Sequence, residues 1–337
     1  MAVILKSSLF VFLLSWPVLV TAGLFDETEL IEVRLSGPVS SILEDTKNRE
    51  ERPFMLGVNG KEIEILARVR GKSRARVCDF PPIRFNLTDS DTKQTAFEGQ
   101  GKLKLVTHCR NNSQGSTNVL EEYVVYRMFN ILTEISYRAR LLRIEYDDTS
   151  GKLHKEASPN YGFLIESGKE IESRTGGEFV KLPAIAQSRL AQDHAAIVFV
   201  FQYLIGNTDW SFILAEDAKN CCHNGNLLEL NSRLFYVPYD FDLAGLVDAP
   251  YAKPDPSIGV RSVTQRRYRG YCIDNEPVAA ALRLVNSKKT EIMGVLQELP
   301  DYSDKAMNKS RKFLEGFFKK AGNESRLLKT FEKRCLG

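Results

Sequence analysis

The chain carries GNTDWS at 206–211, HN at 223–224 and YVPYDFDLAG at 236–245. A strongly apolar run before the first block predicts a helix over Ser188–Ile205. Two short apolar runs before the last block predict a β-hairpin over 227–237. The sequence therefore places one acid after a helix, one amide in a loop, and two acids after a strand.

The acids and the amide of these blocks suit phosphoryl transfer assisted by a divalent metal. Asp240 and Asp242, spaced i and i+2 after a strand, fall on one side of an extended chain. Two adjacent carboxylates repel unless a cation lies between them. Asn224 adds a hard amide oxygen, so Asn224, Asp240 and Asp242 are predicted ligands of Mg²⁺ or Mn²⁺. Asp209 is the predicted base or positioning carboxylate for a nucleophilic hydroxyl. Each of the four also has the alternative role of an ordinary turn or loop residue.

The first half of the chain offers basic groups that could face these acids. Lys102 and Lys104 alternate with leucines and so share one face of a predicted strand, where a lysine could neutralise phosphates. Glu121 or Glu122, on a helix predicted over Asn118–Leu132, could hold that lysine in place. An exposed lysine face is the alternative interpretation.

A basic turn, RVRGKSR at 68–74, also belongs to this half. Arg70 and Ser73 flank Gly71-Lys72, and a turn of this kind can present backbone amides to a phosphate group. Strands are predicted around and after the turn, at Ile63–Arg70, Ile83–Leu87, Leu103–Thr107, Tyr137–Tyr146 and Tyr161–Glu166.

The character of the chain changes near Ser167. Residues 23–166 are predicted to form a strand-rich lobe with one helix, and residues 167–337 a helical lobe that carries the candidate catalytic loops. Helices are predicted in the second part over Glu276–Leu299, Ser303–Ala321 and Glu324–Cys335. The predicted class is α+β in two lobes, with the ligand cleft between them.

The first 22 residues read as a signal peptide. Lys6 precedes an apolar core, and Val20-Thr21-Ala22 forms a small-residue cleavage pattern. An uncleaved anchor is the alternative. No later segment approaches the ~20 apolar residues of a membrane span, so the mature chain is expected to have none and to be secreted or periplasmic. The formal net charge of +3, or +2 without Lys6, argues against nucleic-acid binding.

Six cysteines behind a signal peptide favour disulfides. Cys78–Cys109 is the first predicted pair, because both residues end probable strands of the same half. Cys272 with Cys221 or Cys222 is the second.

Taken together, the turn at 70–73, the strand lysine, GNTDW, HN and YDFD resemble the CotH-type kinase-like proteins, over roughly 63–245. The nearest resemblance is to an uncharacterised branch of secreted bacterial proteins that shares the CxFPPIRF, KLKLVTHC, GNTDWS and PYDFD blocks. The resemblance implies a two-lobed protein-kinase-like fold and an activity that uses ATP and Mg²⁺ or Mn²⁺.

By this resemblance, Asp209 matches the catalytic-loop aspartate and Asn224 the metal-binding asparagine. Either Asp240 or Asp242 matches the metal aspartate of the DFG-like turn.

On the other side, the resemblance makes Lys104 the nucleotide-pairing lysine, with Lys102 left open, and Glu122 its helix partner. The turn from Arg70 to Ser73 stands in for the glycine-rich loop.

The expected function is therefore that of a secreted atypical kinase, which transfers a phosphoryl or nucleotidyl group to a hydroxyl of an unknown protein or glycan. The chain has neither GxGxxG nor HRD, and fifteen positions separate Asp209 from Asn224. A catalytically inactive kinase-like binding protein of the envelope is therefore the alternative.

Overall fold

The computed structural model describes residues 23–153, 160–183, 185–212 and 221–337. The predicted signal peptide lies outside these residues, as do positions 213–220 in the gap between Asp209 and Asn224.

Seven strands of the first half close into a barrel in the order β1-β2-β3-β4-β5-β7-β6. Their bounds are β1 (Ile31–Gly37), β2 (Arg52–Val58), β3 (Lys61–Val69), β4 (Ile83–Asn86), β5 (Lys102–Val106), β6 (Ala139–Asp148) and β7 (Asn160–Ile165). Pairing of β1 with β6 is parallel and closes the barrel, whereas the other pairs are antiparallel. Alternate side chains point inward, so Leu35, Leu56, Phe85 and Leu105 are fully buried in the barrel core.

Three helices accompany the barrel, namely α1 (Val39–Glu44), α2 (Arg74–Val77) and α3 (Ser113–Leu132). The helix α3 contains the predicted 118–132 segment but starts earlier, because Asn112 caps it by accepting a bond from the amide of Gly115 at 3.0 Å. It packs against β6 and β7. The α+β class is confirmed, but the expected first lobe with a single helix is replaced by a closed seven-stranded barrel with three helices.

The second half begins with α4 (Gly168–Thr175), β8 (Glu178–Val180) and α5 (Gln192–Ile205). The predicted hairpin is confirmed as β9 (Gly225–Leu230) and β10 (Arg233–Pro238), which form a three-stranded sheet with β8. Almost every side chain of α5 is buried, and its apolar residues join those of α3 in the larger of two cores. This burial fixes the position at which α5 ends.

The remaining helices are α6 (Asn275–Ser287), α7 (Lys289–Gly294), α8 (Asp304–Ala321) and α9 (Glu324–Glu332). The single helix predicted over Glu276–Leu299 is wrong. It divides at Lys288 into α6 and α7, and a 3₁₀ turn follows over Val295–Glu298. Among the residues described, no helix has both the length and the apolar character needed to cross a bilayer.

The disulfide Cys78–Cys109 is present as predicted. The second predicted pairing is wrong, since Cys221 bonds to Cys222 and Cys272 bonds to Cys335. A backbone bond from the amide of Cys272 to the carbonyl of Leu336, at 2.9 Å, brings the C-terminal segment alongside Cys272. Three disulfides are compatible with an extracytoplasmic protein.

Candidate functional site

A cleft of about 720 Å³ brings together residues from distant parts of the chain. This volume is within the range of roughly 300–1,000 Å³ that is typical of small-molecule sites. The predicted site residues that line the cleft are Arg70, Ser73, Asp209, Asn224, Asp240 and Asp242. A neighbouring cavity shares its Arg70–Arg74 and Asp240 walls and adds Lys104, Val106 and Ile165.

Asp209 is delivered to the cleft by the end of α5. Gly206 adopts a left-handed conformation (φ +68°) that terminates the helix. Asn207 then accepts a bond from the amide of Asp209 at 2.9 Å, which fixes the turn. The carboxylate of Asp209 contacts the adjacent segment at 221–224 rather than its own turn, and it is about one-third exposed.

His223 and Asn224 both contact that carboxylate. His223 Nε2 lies 2.8 Å from Asp209 Oδ1, and the amide nitrogen of Asn224 donates to Oδ2 at 2.7 Å and to the backbone carbonyl at 2.8 Å. The stretch at 221–224 is held by two backbone bonds between His223 and Ser211. These contacts orient Asp209 and leave the oxygen of the Asn224 amide as the atom suited to a metal ion.

Asp240 and Asp242 lie just after β10, and Phe241 between them is fully buried. Both aspartates contact Arg74: its Nη2 donates to Asp240 Oδ1 at 2.9 Å, and its Nε lies 3.0 Å from Asp242 Oδ2. The same Nη2 donates to Glu122 Oε1 at 2.7 Å. The predicted pairing of Glu122 with a strand lysine is therefore wrong, because the carboxylate of Glu122 binds Arg74, the buried arginine of α2.

The three carboxylates of Glu122, Asp240 and Asp242 form an acidic cluster, in which one oxygen of each lies within 4.8 Å of the others. Burial, and repulsion by Asp242, raise the pKa of Glu122, and burial together with Asp240 raises that of Asp242, although Arg74 opposes both shifts. Burial disfavours the charge on Arg74, but Asp242 and Glu122 outweigh it and raise its pKa well above the usual value. Hard oxygen donors at this spacing fit a Mg²⁺ or Mn²⁺ ion.

A cationic cluster of Arg70, Arg84 and Lys104 lies beside the acids. The register of β4 and β5 places Arg84 opposite Lys104. Burial, with the charges of Arg70 and Arg84, lowers the pKa of Lys104 to about 8. Burial also lowers the pKa of Arg70. Within the described part of the chain, none of the three forms a salt bridge with a carboxylate, although the charge of Asp240 acts to raise the pKa of both Arg70 and Lys104.

The two candidate lysines, Lys102 and Lys104, differ in their exposure to solvent. Lys102 and Lys104 share a face of β5 as predicted, but Lys102 is exposed at the start of the strand and lines neither cavity. Lys104 is half-buried and lines the smaller cavity.

Sequence reasoning gave no role to Arg74, Arg84 or His223. Arg74 is the last residue of the basic turn at 68–74, and Arg84 alternates with buried side chains of β4. His223 directly precedes Asn224. These positions were visible in the sequence, but the burial of Arg74 and the contacts of Arg74 and His223 with carboxylates were not.

No family model matches the chain, and no curated protein matches it. Among solved structures, the chain is similar to a protein titled as a Helicobacter pylori proinflammatory kinase, CtkA, with 11% identity and a TM-score of 0.35 over 86% of this chain and 97% of that one. A likeness at this TM-score supports no conclusion about activity. The resemblance to CotH-type proteins therefore rests on the quoted residues alone.

Proposed function

We propose that the protein binds a nucleoside triphosphate with a divalent metal and transfers a phosphoryl or nucleotidyl group to a hydroxyl of a protein or glycan. One observation carries the proposal: Asp240 and Asp242 of the acidic cluster line the same cleft as Arg70, and Asp240 and Arg70 also line the neighbouring cavity that contains Lys104. A metal–polyphosphate complex has the charges that both clusters require.

In the proposed complex, Arg70 and Lys104 of the cationic cluster bind the phosphates, and Arg84, which lines neither cavity, adds positive charge beside Lys104. Val106 and Ile165 supply an apolar wall beside Lys104 for the nucleoside. Asp240, Asp242 and the amide oxygen of Asn224 would hold the metal, which when bound neutralises charge on the phosphates.

The acceptor hydroxyl is proposed to meet Asp209, which lines the same cleft as Asp240 and Asp242. Asp209 orients the hydroxyl and accepts its proton, while His223 and Asn224 keep the carboxylate in place. The three disulfides favour an oxidising compartment for this activity.

A non-catalytic nucleotide-binding protein is the second candidate. It is favoured by the contacts of Arg74, which already neutralises part of the acidic cluster. Both candidates require nucleotide binding, and only the first requires transfer of phosphate that depends on Asp209.

Binding of ATP with Mg²⁺ or Mn²⁺ is expected to stabilise the folded protein. At a ligand concentration ~100-fold above Kd, one site adds about 2.7 kcal/mol to the free energy of unfolding. Thermal unfolding of the purified mature protein, with and without metal and nucleotide, measures the effect. Absence of any shift would contradict both candidates.

The pH dependence of nucleotide affinity is expected to follow the titration of the Lys104 ammonium. A bound phosphate favours the charged ammonium, so binding takes up a proton when Lys104 is neutral, and affinity falls as pH rises through about 8. If only the ammonium form binds, affinity falls about tenfold between pH 7 and 9. Lys104→Met should bind ATP more weakly at pH 7 and lose this dependence.

Lys102→Met is the matched control, because Lys102 lies on the same face of the same strand but is exposed. It should keep the affinity and the pH dependence of the unmodified protein. A loss of the dependence in Lys102→Met, with none in Lys104→Met, would reverse the assignment of the two lysines.

A further inference from the structure

Arg74 fills the position between three carboxylates that a metal ion is proposed to use. Its guanidinium contacts Glu122, Asp240 and Asp242 at 2.7, 2.9 and 3.0 Å, and the residue is 6% exposed. A divalent ion that bound the same oxygens of both aspartates would meet a resident positive charge.

The three contacts of Arg74 differ in their access to solvent. The side chain of Glu122 is 3% exposed and belongs to the long helix α3, whereas that of Asp240 is 41% exposed and faces the cleft. Asp242 is 9% exposed and also accepts a bond from the hydroxyl of Tyr251 at 3.0 Å. Glu122 is therefore the permanent partner of Arg74, and the two aspartates, of which Asp240 is the more exposed, are the exchangeable ones.

The formal charges allow both cations in the cluster. Three ionised carboxylates and one guanidinium leave two negative charges, which a divalent ion would balance. Arg74 can thus stay paired with Glu122 while the ion takes the aspartates.

The chain around Arg74 permits a local movement. The helix α2 has four residues and is preceded by Gly71 at φ +89°. The disulfide from Cys78 to Cys109 ties its far end to the segment that leads into α3, the helix that carries Glu122. A movement of Arg74 is thereby confined to α2 and the turn before it.

The geometry points to Arg74 as a resident cation that exchanges with the divalent ion: metal binding displaces the guanidinium from Asp240 and Asp242, and Glu122 retains it. Arg74 lines both cavities, so the displaced group lies beside Arg70 and the phosphates that the cleft is proposed to bind. This inference rests on the proposed function, because it takes Asp240 and Asp242 as metal ligands.

Calorimetric titration of the mature protein with Mn²⁺ alone tests whether Arg74 exchanges with the metal, and it requires no measurement of activity. Arg74→Met removes the competing cation, so its Mn²⁺ affinity should be at least tenfold higher than that of the unmodified protein. Arg76→Met is the matched control, because Arg76 is exposed on the same helix and its Nε donates to the carbonyl of Lys72. It should bind Mn²⁺ like the unmodified protein. Equal or weaker binding by Arg74→Met overturns the inference.

If Arg74→Met does not fold, a second measurement on the unmodified protein tests whether Mn²⁺ displaces Arg74 from the aspartates. Saturating Mn²⁺ should increase hydrogen exchange at the backbone amides of 74–78, because α2 loses the contacts of Arg74 with the aspartates. Unchanged or slower exchange there overturns the inference.

Failure of the inference and failure of the proposed function give different results. If the unmodified protein binds Mn²⁺ through Asp240 but Arg74→Met does not bind more tightly, only the exchange is wrong. If neither protein binds Mn²⁺, with or without ATP, the metal site of the proposed function is wrong as well.

Discussion

Replacement of Asp209 by asparagine is expected to reduce phosphate transfer by about 10²- to 10⁴-fold, the usual contribution of a positioned acid or base. Asparagine has nearly the same shape but cannot accept the proton of the acceptor hydroxyl. ATP and Mn²⁺ binding should change little, because Asp209 is not among the proposed ligands of the phosphates or the metal. Single-turnover transfer of labelled γ-phosphate and thermal shifts on the same preparation measure both effects.

Asp255→Asn is the control for this variant. Asp255 is exposed, and its carboxylate accepts a bond from the amide of Ser257 at 2.8 Å. This variant should transfer phosphate at the unmodified rate. If Asp209→Asn kept its transfer rate within tenfold of the unmodified protein, the catalytic assignment would be wrong. If the unmodified protein bound ATP and metal but transferred nothing, the binding-protein alternative would stand.

Local sequence patterns predicted the secondary-structure elements that position the candidate site residues. The apolar helix that ends at Gly206, the hairpin before Asp240, and the alternation around Lys104 are all short-range signals of periodicity and turn chemistry. Both carboxylates of the i, i+2 pair Asp240 and Asp242 reach Arg74 while Phe241 points into the core, but the chain is not extended there as predicted, since Asp240 has φ +61°.

The closed barrel could not be predicted from local sequence patterns. Its closing pair joins Ile31 of β1 to Leu142 of β6, and no local pattern reports a contact over that distance along the chain. The division of the predicted 276–299 helix near Lys288 is likewise not marked by a proline or a glycine at that point.

The buried ion pairs of Arg74 could not be predicted from the sequence for a different physical reason. A basic turn with a glycine is usually an exposed loop, and its Lys72 and Ser73 are indeed exposed. Arg74, one position later, is buried because the acids that receive it come from α3 and from the turn after β10. Its partner could therefore be identified only after those segments had been placed in space.

Replacement of Asp240 and Asp242 together by asparagine is expected to remove the metal dependence of ATP binding. A metal ion held by the two aspartates would neutralise charge on the bound phosphates. ATP affinity in Mn²⁺ should therefore fall at least about a hundredfold, to the value measured in a chelator. Calorimetric titration of ATP with and without Mn²⁺ measures the difference. The control is Asp255→Asn combined with Asp304→Asn, since both residues are exposed and neither lines the cleft.

The structure also predicts how the two aspartates divide the effect. The double variant should still fold, because Arg74 keeps its buried pair with Glu122 at 2.7 Å. Asp240→Asn alone should mainly weaken metal binding, since Asp240 faces the cleft. Asp242→Asn alone should mainly reduce stability, since Asp242 is buried against Arg74 and Tyr251. If the double variant bound ATP in Mn²⁺ with unmodified affinity, both aspartates would serve only as partners of Arg74, and the metal would have to bind elsewhere.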